Sequence, residues 1–165
     1  MNDFNPNKKE YDPRMHSAEH ILNQTMVRMF NCGRAFSAHI EKKKSKCDYQ
    51  FDRNLTAAEL AAIEGRINDV ILADMPVREE FTTRQEALKR FNLDRLPEEA
   101  REIIRIITVG GYDACPCSGE HVHSTGQIGV FKIISTSHED KLLRVRFRLI
   151  ANDGKTSAQE PPSER

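Results

Sequence analysis

The chain has 165 residues, with 25 basic and 25 acidic side chains and 38% hydrophobic residues, which suffices for one domain with a real core. Zero net charge excludes a global positive field, so any nucleic-acid contact has to come from a local patch. No apolar run approaches the roughly 18–20 residues that cross a bilayer, and the Asn-, Asp- and Lys-rich start lacks the apolar segment of a signal peptide; a cytoplasmic protein with no membrane partner is expected, its four cysteines read as thiols or metal ligands before disulfides.

Residues 1–10 read as a disordered tail, 11–152 as a single domain, and 153–165 as a second polar tail. Tyr11-Asp12-Pro13 starts a helix, with Asp12 placed to accept from the first free amides and Pro13 suited to the first position. Met15, Ala18, Leu22, Met26 and Met29 form one apolar stripe, and Gly33 is the expected left-handed cap near Asn31-Cys32-Gly33. Residues 36–51 read as extended, with Cys47, Tyr49 and Phe51 alternating against Asp48 and Gln50, and with Lys42, Lys44 and Lys46 alternating upstream. Cys47 is expected in the core, and Cys32 near a helix end; neither has ligand-like spacing.

Thr56-Ala-Ala-Glu59 is a capping box that opens a second amphipathic helix through Leu60, Ile63, Ile67, Val70 and Ile71, closed by Met75-Pro76. Val77–Thr82 reads as a short strand, and Thr83–Glu86 as another capping box opening a helix to about Phe91. Ile103–Val109 suggests a strand buried on both faces, Gly110-Gly111 a turn, and the following Cys/His stretch an irregular loop. Ile128–Ser135 is a further strand. In Leu143–Leu149 the apolar Leu143, Val145, Phe147 and Leu149 alternate with Arg144, Arg146 and Arg148, giving a half-buried strand with a basic outer face. The fold class is α+β: two main helices packed on a mostly antiparallel sheet.

Chemistry concentrates at two places. His16 and His20 lie four apart on the first helix, so their side chains leave one face a turn apart. Cys117 and His121 lie four apart in a loop where Gly119 permits tight curvature. Imidazole and thiolate are the ligands zinc favours, and together these four make a three-histidine, one-cysteine set drawn from distant segments.

These motifs, His16-Ser-x-x-His20 and Cys117-Ser-Gly-Glu-His121-Val followed by Thr125-Gly126-Gln-Ile-Gly129-Val-Phe-Lys-Ile, resemble those of the editing domains of alanyl- and threonyl-tRNA synthetases. This is the second additional domain family, which includes the free-standing AlaX trans-editing proteins. Tyr49-Gln-Phe51-Asp52, Leu55-Thr-x-x-Glu59-Leu60, Ile63-Glu64, Asn68 and Met75-Pro76-Val77 follow the family's pattern in the same order, so the resemblance covers roughly residues 13–150. It implies the family's α+β editing fold and a Zn2+ site formed by His16, His20, Cys117 and His121. The implied activity is that of an aminoacyl-tRNA deacylase, hydrolysing serine or glycine from alanine tRNA or serine from threonine tRNA. With the HxxxH helix so near the start of the chain, the short free-standing form is expected. The partners implied are the acceptor end of an aminoacyl-tRNA and, without any need for ATP, a tRNA synthetase. A zinc-containing module that binds tRNA or a synthetase without hydrolysis is the alternative. Glu120 stands where the family's loop usually has a small residue, and is a candidate general base. Cys115 replaces a frequent acidic residue; it and His123 are alternative ligands. Lys42, Lys43, Lys44, Lys46, Arg144, Arg146 and Arg148 are the candidates for phosphate contacts.

Overall fold

The computed structural model describes residues 12–91 and 102–151; the expected tails at 1–10 and 153–165 lie outside the described residues. Helix α1 spans Pro13–Phe30. Asp12 Oδ1 accepts the Arg14 backbone N–H at 2.9 Å, and Pro13 occupies a position whose N–H has no helical partner anyway. The helix ends on Asn31 at φ 52°, not on Gly33, because the short amide side chain tolerates the left-handed conformation two residues earlier.

The stretch expected to be extended over 36–51 is a hairpin, β1 Ser37–His39 and β2 Ser45–Gln50, with Lys42, Lys43 and Lys44 in its exposed turn. Helix α2, Ala57–Leu72, begins with the expected capping box: Glu59 N–H donates to Thr56 Oγ1 at 3.2 Å and Thr56 N–H to Glu59 Oε1 at 2.8 Å. Strand β3, Val77–Thr83, leads into α3, Arg84–Arg90, capped by Thr83. Strands β4 (Ile103–Val109), β5 (Asp113–Pro116), β6 (Val130–Glu139) and β7 (Leu142–Ile150) follow, with a 3₁₀ turn at Thr125–Gln127. The Cys/His stretch is therefore a strand through Pro116 before it becomes a loop.

The architecture is α+β; among the described residues every pairing is antiparallel, and there are two sheets where one was expected: β1-β2-β7-β6 and β3-β4-β5. The regular ladder of β5 ends at the Ile106–Pro116 pair, one step beyond which the Cys117 N–H still donates to the Arg105 carbonyl at 3.1 Å. The main core lies between α1, α2 and the inner face of the larger sheet. Tyr49, Phe131 and Phe147 are its largest buried side chains, each worth roughly 1.5–3 kcal/mol of transfer free energy. Cys47 is in this core, as expected, and so are Leu143, Val145 and Phe147, while the intervening arginines point outward.

In the smaller sheet α3 covers one face, packing Ala87 on Ile104 and Ile106. The opposite face is closed only at one end. Ile107 and Val109 are buried there but Ile103 is 53% exposed, so β4 is not covered on both faces along its whole length. The loop after β5 is clamped between elements. Val77 N–H donates to the His123 carbonyl and Thr125 N–H to the Met75 carbonyl, both at 2.9 Å, and Thr125 Oγ1 donates to the Val70 carbonyl at 2.7 Å. These bonds hold the end of α2, the start of β3 and the loop in one register, which places the loop against α1.

Candidate metal centre

His16 and His20 leave α1 on the side facing that loop, where Cys117 Sγ lies 3.3 Å from His16 Nε2 and 3.5 Å from His121 Nε2. One ligand atom from each of His16, His20, Cys117 and His121 falls within 4.8 Å of all the others. A tetrahedron with zinc-like arms of about 2.0–2.3 Å has edges of roughly 3.5 Å, so the spacing suits a common ion. The approach is close enough to require glycine at position 119: a Cβ there would sit 2.2 Å from His16 Cε1.

Each histidine has its other ring nitrogen directed at a second group. His16 Nδ1 meets the Glu120 carbonyl at 3.2 Å, and His121 Nδ1 meets Ser17 Oγ at 2.9 Å. His20 Nδ1 is fully buried and has no hydrogen-bond partner among the described residues; it faces Asp113 Oδ2 at 3.6 Å. That distance is long for a hydrogen bond, so the attraction there is mainly one of charge. Asp113 is itself fixed by Arg34, at 2.7 and 3.3 Å, and by Gln24 at 2.8 Å. Carboxylate, carbonyl and hydroxyl groups behind the imidazoles are the outer partners that orient histidines toward a metal. With the Nδ1 atoms so engaged, the Nε2 atoms are left for the ion. The donor set, its spacing and its outer partners thus fit a metal ion.

The electrostatics agree. Burial pushes the Cys117 thiol up, but hydrogen bonds from His121, His16 and His20 outweigh it and bring the group down to about 3. Burial pushes His20 down, but Asp113, Cys117 and the charge of Glu19 outweigh it and raise it to about 9. Burial lowers His121 to about 4 against the pull of Cys117, with the charges of His20 and His16 adding to the fall. Near neutrality the metal-free centre therefore holds a thiolate, a charged His20 and a neutral His121. Metal binding requires neutral imidazoles, so His20 has to lose its proton. Metal binding will therefore release a proton from His20, and affinity will rise with pH up to about 9. Titrating metal into weakly buffered protein measures this directly; binding without proton release contradicts it.

The other sequence candidates lie elsewhere. Cys115 is on β5, the same strand face as Asp113, where burial raises its thiol to about 11 despite Arg34; it is outside the four-atom cluster, as is the exposed His123. Glu120 is exposed and meets the centre through its carbonyl. Lys46 and Arg146 are register partners, and Arg148 pairs with Lys132, on the outer face of the larger sheet; Arg144 is held bidentately by Asp48 at 2.8 and 3.0 Å. The inward neighbours Ser45 and Tyr49 touch Met15 and Asn23 of α1, so this basic face points away from the metal centre. Lys42, Lys43 and Lys44 lie in the exposed turn before Ser45, whose Oγ meets Met15 Sδ of α1 at 3.5 Å.

Four contributors are not evident from spacing alone. Ser17 lies inside the HxxxH motif, but its role needs the loop in place. Asp113 is four residues before Cys117, which puts both on one face only once β5 is recognised as a strand. Arg34, and Arg105, which donates to the Cys117 and Gly119 carbonyls at 3.0 and 2.7 Å, give no sequence signal.

Residues 104–146 match the family described as the threonyl and alanyl tRNA synthetase second additional domain. Longer similarity is found to alanine–tRNA ligases: 31% identity over 131 residues with that of Fervidobacterium nodosum, covering 79% of this chain and 15% of the ligase. The ligase of Thermotoga maritima is 30% identical over 129 residues, covering 78% and 15%, and that of Neisseria meningitidis serogroup B is 33% identical over 129 residues, covering 74% and 14%. The chain belongs to the second additional domain family. As a second additional domain it spans about 15% of the length of the ligases it matches. The family match runs from β4 into β7 and contains Cys117 and His121, while the ligase similarities extend well beyond that stretch. No helix among the described residues is long and apolar enough to cross a membrane.

Proposed function

We propose that this second additional domain hydrolyses the ester of a mischarged aminoacyl-tRNA, with zinc held by His16, His20, Cys117 and His121. The observation that supports it most is the assembly of four ligand atoms within 4.8 Å, backed by outer partners, in a chain related to alanine–tRNA ligases. The chemistry such an ion supplies is Lewis acidity toward an ester carbonyl. The chain's own residues hold the geometry: Ser17 fixes the His121 ring, Asp113 faces His20, and Arg105 pins the carbonyls of the loop that carries Cys117. The ligase relatives favour alanine tRNA, wrongly charged with serine or glycine, over serine on threonine tRNA. RNA contact falls to Lys42, Lys43 and Lys44 in the β1–β2 turn and to Lys46, Arg146 and Arg148 on the outer sheet face.

One feature favours a second reading. Four protein ligands are the number found in closed structural zinc sites, whereas catalytic sites keep a position open. A structural zinc in a domain that binds tRNA or a synthetase without hydrolysis would have this form.

A deacylation assay separates the two. Zinc-quantified protein is given serine- and glycine-charged alanine tRNA and serine-charged threonine tRNA. Loss of one ester, abolished in His16→Ala and Cys117→Ala proteins that keep their circular dichroism, supports hydrolysis and names the substrate. One zinc per chain with all three esters intact supports the structural reading. Because the Glu120 carboxylate is exposed and contributes only its carbonyl to the centre, Glu120→Gln will deacylate at the parental rate. A fall of about 100-fold or more would instead make it the general base.

A further inference from the structure

The metal centre lies at one edge of a sheet face whose other end is open. On β5, Asp113 and Cys115 alternate with residues on the α3 side, and Cys117 continues their face, its N–H bonded to the Arg105 carbonyl at 3.1 Å. On the other side of Arg105 the register partner is Phe81 of β3. Cys117, Arg105 and Phe81 therefore form one row across the sheet, with Phe81 two strand spacings, or about 10 Å, from Cys117. Phe81 is 62% exposed, and its diagonal neighbour on the same face is the equally open Ile103. The Arg105 guanidinium lies between, bonded to Glu79 at 2.7 Å and to the two loop carbonyls.

Two exposed side chains fall far short of the roughly 800 Å² per partner of a stable protein interface. They are, however, the size of one nucleobase, and aromatic rings bind bases by stacking without reading sequence. The free edge of β3 is also guarded against strand pairing by Arg78, Glu79 and Glu80 in succession. A span of about 10 Å matches a nucleoside whose base stacks on Phe81 while its 3′-linked acyl group reaches Cys117. Resting on the proposed aminoacyl-tRNA reading, we propose that Phe81, flanked by Ile103, is the stacking platform for the 3′-terminal nucleoside of the substrate RNA.

The chain has no tryptophan, so Phe81→Trp creates a unique fluorophore on the platform. The zinc-loaded variant is titrated with an uncharged RNA hairpin carrying a 3′-CCA end and with the same hairpin lacking its terminal adenosine. The expected result is quenching by the first hairpin and not by the second. Phe81→Ala should weaken binding of the complete hairpin about tenfold and leave that of the shortened one unchanged. Binding by the parent with no difference between the hairpins, or with unchanged affinity in Phe81→Ala, overturns the platform and leaves the tRNA reading standing. No binding and no deacylation by the parent overturns both. A dimer of the parent seen by sedimentation and lost in Phe81→Asp would assign the patch to a second copy of the chain instead.

Discussion

The Asp113→Ala protein will unfold about 3 kcal/mol more readily than the parent and will bind zinc about 10- to 100-fold more weakly. Two separate consequences of one carboxylate are involved. The first concerns Arg34, whose guanidinium is paired with Asp113 at 2.7 Å and whose side chain is only 28% exposed. Removing the carboxylate leaves that charge largely buried and unpaired, which typically costs 3–5 kcal/mol; partial exposure puts this case near the lower end. The second concerns His20, whose buried Nδ1 then loses the carboxylate that faces it at 3.6 Å, so the ring loses its orientation and part of its basicity toward an ion. Asp113→Asn separates the two effects, since an amide oxygen still accepts from Arg34 but carries no charge toward His20. Urea unfolding with chelator present measures the first effect, and competition with a chromophoric chelator the second. Unchanged zinc affinity in both variants would show that the carboxylate supports Arg34 alone.

Gly119→Ala will cost about 2 kcal/mol of stability and about 100-fold in zinc affinity, by analogy with the effect of a 1 Å misplacement at a reacting centre. The added methyl would lie 2.2 Å from Cε1 and 2.5 Å from Nδ1 of His16. The clash cannot be relieved by moving the backbone cheaply, because Arg105 grips the Gly119 carbonyl at 2.7 Å and the Cys117 carbonyl at 3.0 Å. The imidazole therefore has to turn, losing its contact with Cys117 and with the Glu120 carbonyl. In a cobalt-substituted protein the change will appear as an altered visible spectrum. A spectrum and affinity identical to the parent's would mean that the loop shifts freely and that glycine is not needed.

Much of the fold is legible in the sequence because local chemistry and tertiary packing agree. The Thr56–Glu59 box, the Thr83 cap and the Leu143–Phe147 alternation each specify one element, and each is found where the residues place it. The division into two sheets is not legible, since strand periodicity says which residues share a face but nothing about which strands pair. The same limit hid β5: four residues, Asp113-Ala-Cys-Pro116, carry no strand signal, and only pairing with β4 extends them. At the centre, the two four-residue spacings point to the ligand pairs. The groups behind them, Asp113, Arg34 and Arg105, are brought in by long-range contacts that leave no pattern along the chain.

The ligands divide two and two between the halves of the architecture. His16 and His20 belong to a helix seated on the larger sheet, whereas Cys117 and His121 ride on the strand end and loop that leave the smaller one. The centre thus sits on the seam between two bodies, and an ion there acts as a rivet. Any force that slides one sheet against the other, whether from an engaged RNA or from a docked protein, is transmitted to the coordination sphere.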